Sequence, residues 1–273
     1  MFDTDSKTAA AGSSKSPQIV AIYAIFLVVA FLVYHIIAES EFSSLLTLSA
    51  IIQSLAFALL GWQVVMCGNK GISLKALVLD AVALFFRLSC TTWLNGYLPV
   101  DASGDYAYQV ADVLSLSIIL WVVARAYSKG CDNDDTFPVM PTIIGALVLA
   151  GILHSDLNDR PMFDTLWMTS LFLSCVSALP QLCLIVRTQS PVAPMTSHFI
   201  AVMALSRMMS GFYMWYTHEE YLPEKQYIGG FNHPGWAVLG AHFVHLVLLA
   251  DFAYYYGKAV TQHGFNSPLE LPL

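Results

Sequence analysis

Apolar residues fill this chain in long blocks, separated by short polar or acidic interruptions. A helix needs about 20 mostly apolar residues to cross a bilayer. Runs of that kind fall at approximately 17–38, 43–66, 74–97, 108–126, 139–154, 163–186, 197–217 and 235–257. This pattern predicts an all-α polytopic membrane protein of eight spans, with little chain left over for a soluble module. Residues 1–17 are small and polar and cannot bury enough apolar surface to order themselves. The run that follows ends in YHIIAESE rather than at a small-residue cleavage site, so it reads as a retained helix and not as a signal peptide.

One block differs from the rest. The segment from Phe163 to Thr188 is interrupted by Leu179-Pro180-Gln181. Proline removes a backbone donor and clashes with the carbonyl one turn earlier, so the helix must kink and leave a carbonyl unserved. Broken helices persist at membrane depth where the exposed backbone is packed in protein or lines a wet cavity. Pro180 and Gln181 therefore mark a cavity or a hinge. The same segment opens with Asp164 and Trp167, one turn apart, which places an acid and an aromatic ring on one face at its mouth.

Composition agrees with a membrane protein: 57% hydrophobic and only 11% charged residues, against roughly 25% charged in soluble domains. The net charge of −7 follows from acids gathered in loops on one side, and so reflects topology rather than a basic partner; nothing points to nucleic acid. Lys7, Lys15, Lys70, Lys75, Arg125, Lys129, Arg187 and Lys258 fall on one side of the eight-span arrangement, and only Arg160 and Lys225 on the other. Cytoplasmic loops retain Lys and Arg, so both termini are expected in the cytosol and the acidic loops in a lumen. The five cysteines show no C-x-x-C spacing, which supports neither a zinc site nor a disulfide framework. No cofactor or metal is implied, and the absence of G-x-S-x-G, H-E-x-x-H or a Gly-rich phosphate loop argues against an enzyme.

Charges inside the spans are the candidate functional groups, because an ionised side chain at the bilayer centre is costly and normally faces a partner or a wet cavity. They are Arg87 and Arg207, with Asp80, Asp112, Asp164 and Asp251 in or near the spans. Two arginines at one cavity would make a strong anion site, since the guanidinium fork matches a carboxylate. Arg87 has Cys90 and Thr91 one turn later rather than an acid. Its counter-charge must come from a ligand or from a distant acid such as Asp112. Asp80 and Asp251, nearer their helix ends, read as structural, as do His154, His198, His218, His242 and His245.

Several separate segments carry a family resemblance: GISLKALVLDAVALFFR (71–87), DTFPVMPTIIGALVLA (135–150), DTLWMTSLFLSCVSALPQL (164–182), TSHFIAVMALSR (196–207), DFAYYY (251–256) and the closing LELPL. Over roughly residues 44–273 the chain resembles the ER-lumen-protein-retaining (KDEL) receptors, and its Pro-Gln pair resembles the signature of the wider PQ-loop membrane families. The additional first helix is similar to the divergent, receptor-related branch. The resemblance implies a seven-helix bundle of two three-helix repeats joined by a linking helix, plus the extra N-terminal helix. It divides the chain into a disordered cytosolic tail (1–17), the extra helix and a short loop (18–42), the receptor-like domain (43–258) and a cytosolic tail (259–273). It further implies a cargo receptor of the ER and Golgi membranes that binds the C-terminal tetrapeptide of lumenal ER proteins for retrieval, with membrane lipid around it and vesicle coat proteins as further partners. Arg87 matches the arginine that meets the peptide carboxylate, Arg207 a second cavity arginine of an acid-sensing network, and Asp164 and Trp167 the pair that receives a basic first residue.

The chain departs from that family pattern at the site itself. Cys90 stands where an acid is expected, Ser174 for a glutamate, Ser206 and Ser210 for tyrosines, Tyr213 for an asparagine and Thr217 for an arginine. No histidine lies near Gln53, and the tail keeps only Lys258 of a lysine cluster. The competing reading is a PQ-loop transporter that moves a sugar or amino acid through the same cavity.

Overall fold

In the computed structural model, residues 16–32, 34–35, 44–93, 105–128, 135–154, 160–189, 191–218, 232–264 and 269 are described. Nine helices account for nearly all of them: α1 (Ser16–Leu32), α2 (Ser44–Met66), α3 (Leu74–Trp93), α4 (Asp105–Ser128), α5 (Val139–Leu153), α6 (Pro161–Val176), α7 (Ala178–Thr188), α8 (Pro194–Tyr216) and α9 (His233–His263). Each starts and stops for a local reason. Pro161 and Pro194 open α6 and α8 in the first turn, where the missing N–H costs nothing. Asn232 caps α9 by accepting from Gly235 N at 3.1 Å. Ser73 caps α3 in the same way, its Oγ accepting from Ala76 N at 3.0 Å.

α6 and α7 together form one span, so nine helices make eight crossings. The break falls at Ser177, just before Pro180, which cannot donate to the carbonyl of Val176. The last helix runs to His263 rather than ending near 257, so the start of the expected C-terminal tail is helical. Neither Gly nor Pro interrupts it after Gly257 until Gly264, whose φ of 81° ends the helix. Similarly, α1 takes in Ser16 and Pro17 from the expected N-terminal tail. The rest of that tail, most of the acidic loop residues and most of 259–273 beyond the helix lie outside the described residues.

The packing order repeats. In the first half, α2 and α3 both pack on α4 while making little contact with each other; in the second, α6 and α8 both pack on α9. The first helix of each half also packs on the second helix of the other, α2 on α8 and α3 on α6. Thus α2–α4 and α6–α9 are two three-helix units, counting α6 and α7 as one, and α5 links them along α6. Helix α1 stands outside this core, with Ile25 and Leu27 largely exposed to the surroundings. Its polar anchor is Tyr23, whose hydroxyl lies 3.1 Å from His198 Nδ1, the atom that Tyr256 approaches to 2.8 Å.

Four spans are long and apolar enough to cross a membrane on length and composition alone: α2, α4, the α6–α7 pair and α9. Helices α3 and α8 fall short because they carry Asp80, Arg87 and Arg207 and a run of hydroxyl residues. Both carry buried polar groups into the interior. Their polar groups lie between two apolar clusters, one largely near the end where α2, α4, α6 and α9 begin and the other near the opposite end. The chain is an all-α polytopic membrane protein.

Candidate functional site

A small cavity of about 40 Å³ opens among the starts of α2, α4, α6 and α9 and the ends of α3 and α8. Arg87, Arg207, His242 and His245 supply its charged and titratable lining. Ser170, Ser174 and Ser210 add hydroxyls, with Tyr108 and Trp167 as aromatic walls. No carboxylate lines it among the described residues. The site thus concentrates positive charge and hydrogen-bond donors without an acid on the wall, which suits an anion.

The two arginines are not equivalent. Arg87 is held by Asp112 across helices: its Nε donates to Oδ2 at 2.7 Å and its Nη2 to Oδ1 at 2.5 Å. Nη2 also reaches Gln53 Oε1 at 3.3 Å, and the guanidinium lies 5.2 Å from the Tyr108 ring centroid. Asp112 has no exposed side-chain surface, whereas Arg87 keeps 13%. The counter-charge that the sequence left open is therefore supplied by Asp112, from a helix that no local spacing rule connects to Arg87. Arg207 has nothing comparable. It is 8% exposed, and it closes no ion pair among the described residues. Its buried Nε has no hydrogen-bond partner.

Trp167, on α6, lines this cavity, and Asp164 lies one turn before it, buried at 1% exposure and close enough to Cys90 for its charge to be felt there. Cys90 occupies the position where the family pattern has an acid, and its Sγ donates to the Phe163 carbonyl. Ser206 likewise faces the backbone, donating to the Ser49 carbonyl at 2.7 Å and tying α8 to α2.

Pro180 and Gln181 lie at the other end of the bundle. Gln181 Oε1 accepts from Ser73 N at 2.8 Å, and its Nε2 donates to the Gly71 carbonyl at 2.9 Å. One amide thus clamps α7 to the turn between α2 and α3, and Gly71, with φ of 75°, gives that turn its shape. Ser73 continues the chain of bonds by donating to Asp135 Oδ2. Beside the break lies a second cavity of about 30 Å³, lined by Asp80, Ser177, Gln181, Phe199 and His245 among others. His245 borders both cavities.

Three groups read from the sequence as structural lie on the cavity walls. Asp80, in the second turn of α3, is 6% exposed on the wall of the second cavity, near Ser177 and within electrostatic reach of Arg207. His242 and His245 are 7% and 3% exposed and face inward from α9. Their spacing of three residues carried the signal, since it sets two imidazoles on neighbouring faces of an otherwise apolar helix. Asp251, by contrast, is exposed on the outer surface.

Comparison with known proteins adds to this geometry. Residues 68–217 match the family model of the ER lumen protein retaining receptor. The ER lumen protein-retaining receptor B of Arabidopsis thaliana is 28% identical over 212 residues, 74% of this chain and 86% of that protein. The receptor erd-2.2 of Caenorhabditis elegans is 26% identical over 209 residues, 75% of this chain and 86% of its own. The Petunia hybrida receptor is 28% identical over 163 residues, 58% and 67% of the two chains. With the matched region spanning every helix from α3 to α8, this chain belongs to the ER lumen protein retaining receptor family.

Proposed function

We propose that this protein is a membrane cargo receptor that captures the C-terminal tetrapeptide of lumenal ER proteins and acts by binding alone, without chemistry. The observation that carries the reading is a cavity with no carboxylate on its wall and a buried Arg207 that closes no ion pair, both among the described residues. A guanidinium taken out of water without a counter-ion is costly, and a peptide's terminal carboxylate recovers that cost. Trp167 on the wall, with Asp164 buried one turn before it, is assigned to a basic first residue, while Arg87 shapes the wall with its charge met by Asp112. The receptor resides in the ER and Golgi membranes with both termini cytosolic, an orientation supported by the split of basic residues between loop faces. Vesicle coat proteins engage the cytosolic side, where Lys258 is the basic residue nearest the C-terminus.

A screen of C-terminal tetrapeptides against the purified protein tests this reading. It predicts saturable binding of free-acid peptides, with a preference for a basic first residue and an acidic middle. The second cavity, separated from the first by His245, favours one rival: a transporter that passes a small polar solute from one cavity to the other. Reconstituted vesicles decide between them. Peptide binding without flux supports the receptor, and solute-dependent flux without peptide binding overturns it.

A further inference from the structure

On the outer face of the bundle, the end of α8 and the start of α9 leave a groove between them of about 560 Å³. Met208, Phe212 and Trp215 of α8 form one wall, and Trp236, Phe243 and Leu246 of α9 the other. Each set recurs at helical spacing and so makes one stripe on its helix. Met208, Phe212, Trp215, Trp236 and Phe243 are all more than half exposed, so the groove opens to the membrane and not to the core. Its floor is made by two glycines. At Gly240 a Cβ would meet nothing within 4 Å, whereas at Gly211 it would meet the His242 side chain at 3.4 Å. His242 is 7% exposed and lines both this groove and the first cavity, and among the described residues its Nε2 has no hydrogen-bond partner.

The shape and chemistry of the groove select its occupant. Sites for single small molecules hold about 300–1,000 Å³, and this one falls inside that range. From Trp236 to Leu246 it descends about 15 Å at 1.5 Å per residue, half of a hydrocarbon core about 30 Å thick, so it belongs to one leaflet. Trp215 is the last residue but one of α8, and Trp236 lies in the first turn of α9. Tryptophans at helix ends sit at headgroup level, so the polar end of the occupant lies there and its apolar body below. Among the described residues, no Lys, Arg, Asp or Glu lines the groove. A phosphate headgroup would find no counter-charge, while a lone hydroxyl needs just one partner, which the Trp215 indole N–H supplies. A flexible acyl chain must freeze its rotors to stay in place, whereas a fused-ring body is ordered before it binds. A partner helix is a poor fit as well. Close approach of backbones needs small residues on the contact face, and with Gly211 covered by His242 the opening left at Gly240 is flanked by large rings.

We propose that this groove is a binding site for a membrane sterol. The fused rings lie over Gly240 between the aromatic walls, and the hydroxyl stays at the level of Trp215 and Trp236. The lipid enters sideways from the leaflet on the side of the first cavity, and it rests against the ring of His242, which lines that cavity too. The site stands on the groove alone and does not depend on what the first cavity binds.

A cholesterol analogue carrying a photoreactive diazirine on its ring system, added to the full-length protein in phosphatidylcholine vesicles, tests the site. Crosslinked residues are mapped by mass spectrometry. Labelling is expected to fall within 208–215 and 236–246 and to saturate as the mole fraction of the probe rises. Unlabelled cholesterol in about tenfold excess should lower it about tenfold, as mass action requires of one shared site. These measurements use the wild type and are immune to misfolding. Gly240→Phe places a ring in the open floor and should abolish the labelling, whereas Val148→Phe, at an exposed position of α5, should leave it unchanged. Labelling that rises linearly with the probe and spreads over α1 and α5 as well would mean lipid acting as solvent. Labelling of the groove by a photoreactive phosphatidylcholine, undisplaced by cholesterol, would give the groove to an acyl chain. Dimers in single-molecule photobleaching that Gly240→Phe dissociates would give it to a second copy of this chain. Each of these three results overturns the proposal.

Discussion

Asp112→Asn isolates the structural half of the paired arginines. The wild-type pair is bidentate, with contacts of 2.7 and 2.5 Å, and Asp112 is wholly desolvated. Removing one partner of a buried pair leaves an uncompensated charge and typically costs about 3–5 kcal/mol. Arg87 keeps 13% of its side chain at the cavity wall and retains Gln53 at 3.3 Å, so water and one amide soften the loss. Asp112→Asn should therefore fall near the low end, about 3 kcal/mol. Arg87→Gln strands a carboxylate with no exposed surface and should cost nearer 5 kcal/mol. Removing both charges with Arg87→Met/Asp112→Leu should cost well below the sum, because neither member is stranded. Reversible unfolding in mixed micelles, followed by tryptophan fluorescence, measures all three. If Asp112→Asn were within about 0.5 kcal/mol of wild type, a level normal for neutral surface changes, the pair would not be holding α3 to α4 as argued.

Two further outcomes follow from the architecture. Glycosylation acceptors placed at 101–105 and at 221–225 should be modified and acceptors at 130–134 should not, because basic residues mark the latter side as cytosolic; the reverse pattern would invert the orientation. Gln181→Leu should destabilise the protein by about 1–3 kcal/mol, since it strands the buried Ser73 N–H, while the exposed Gly71 leaves its carbonyl to water. Pro180→Ala should instead leave insertion intact and weaken ligand binding by straightening the wall of the second cavity; unchanged binding would make the kink ordinary structure.

The spans were legible because bilayer crossing demands long apolar runs, a constraint that acts residue by residue along the chain. Element ends were less legible: α9 continues to His263 because helix propensity, not membrane thickness, decides where it stops. The site was legible as a set of residue types. Arg87, Arg207 and Trp167 do line one cavity. What the sequence could not supply was the pairing. Asp112 lies 25 positions from Arg87 on another helix, and nothing in local spacing says that it, and not Asp80, becomes the counter-ion. The packing of α8 on α9 likewise brings Arg207 onto the same cavity wall as His242 and His245, a proximity that no local spacing reports.

Arg207, which closes no ion pair among the described residues, is proposed to meet a ligand's terminal carboxylate. A double-mutant cycle between peptide amidation and each arginine tests it most directly. In the wild type, amidation should cost about 2–5 kcal/mol, roughly 30- to 5,000-fold in affinity. In Arg207→Gln, amidation should cost almost nothing more, because the pairing partner has already gone, whereas in Arg87→Gln most of the cost should remain. An amidation cost that persists in Arg207→Gln and vanishes in Arg87→Gln would contradict the claim and return the carboxylate to Arg87.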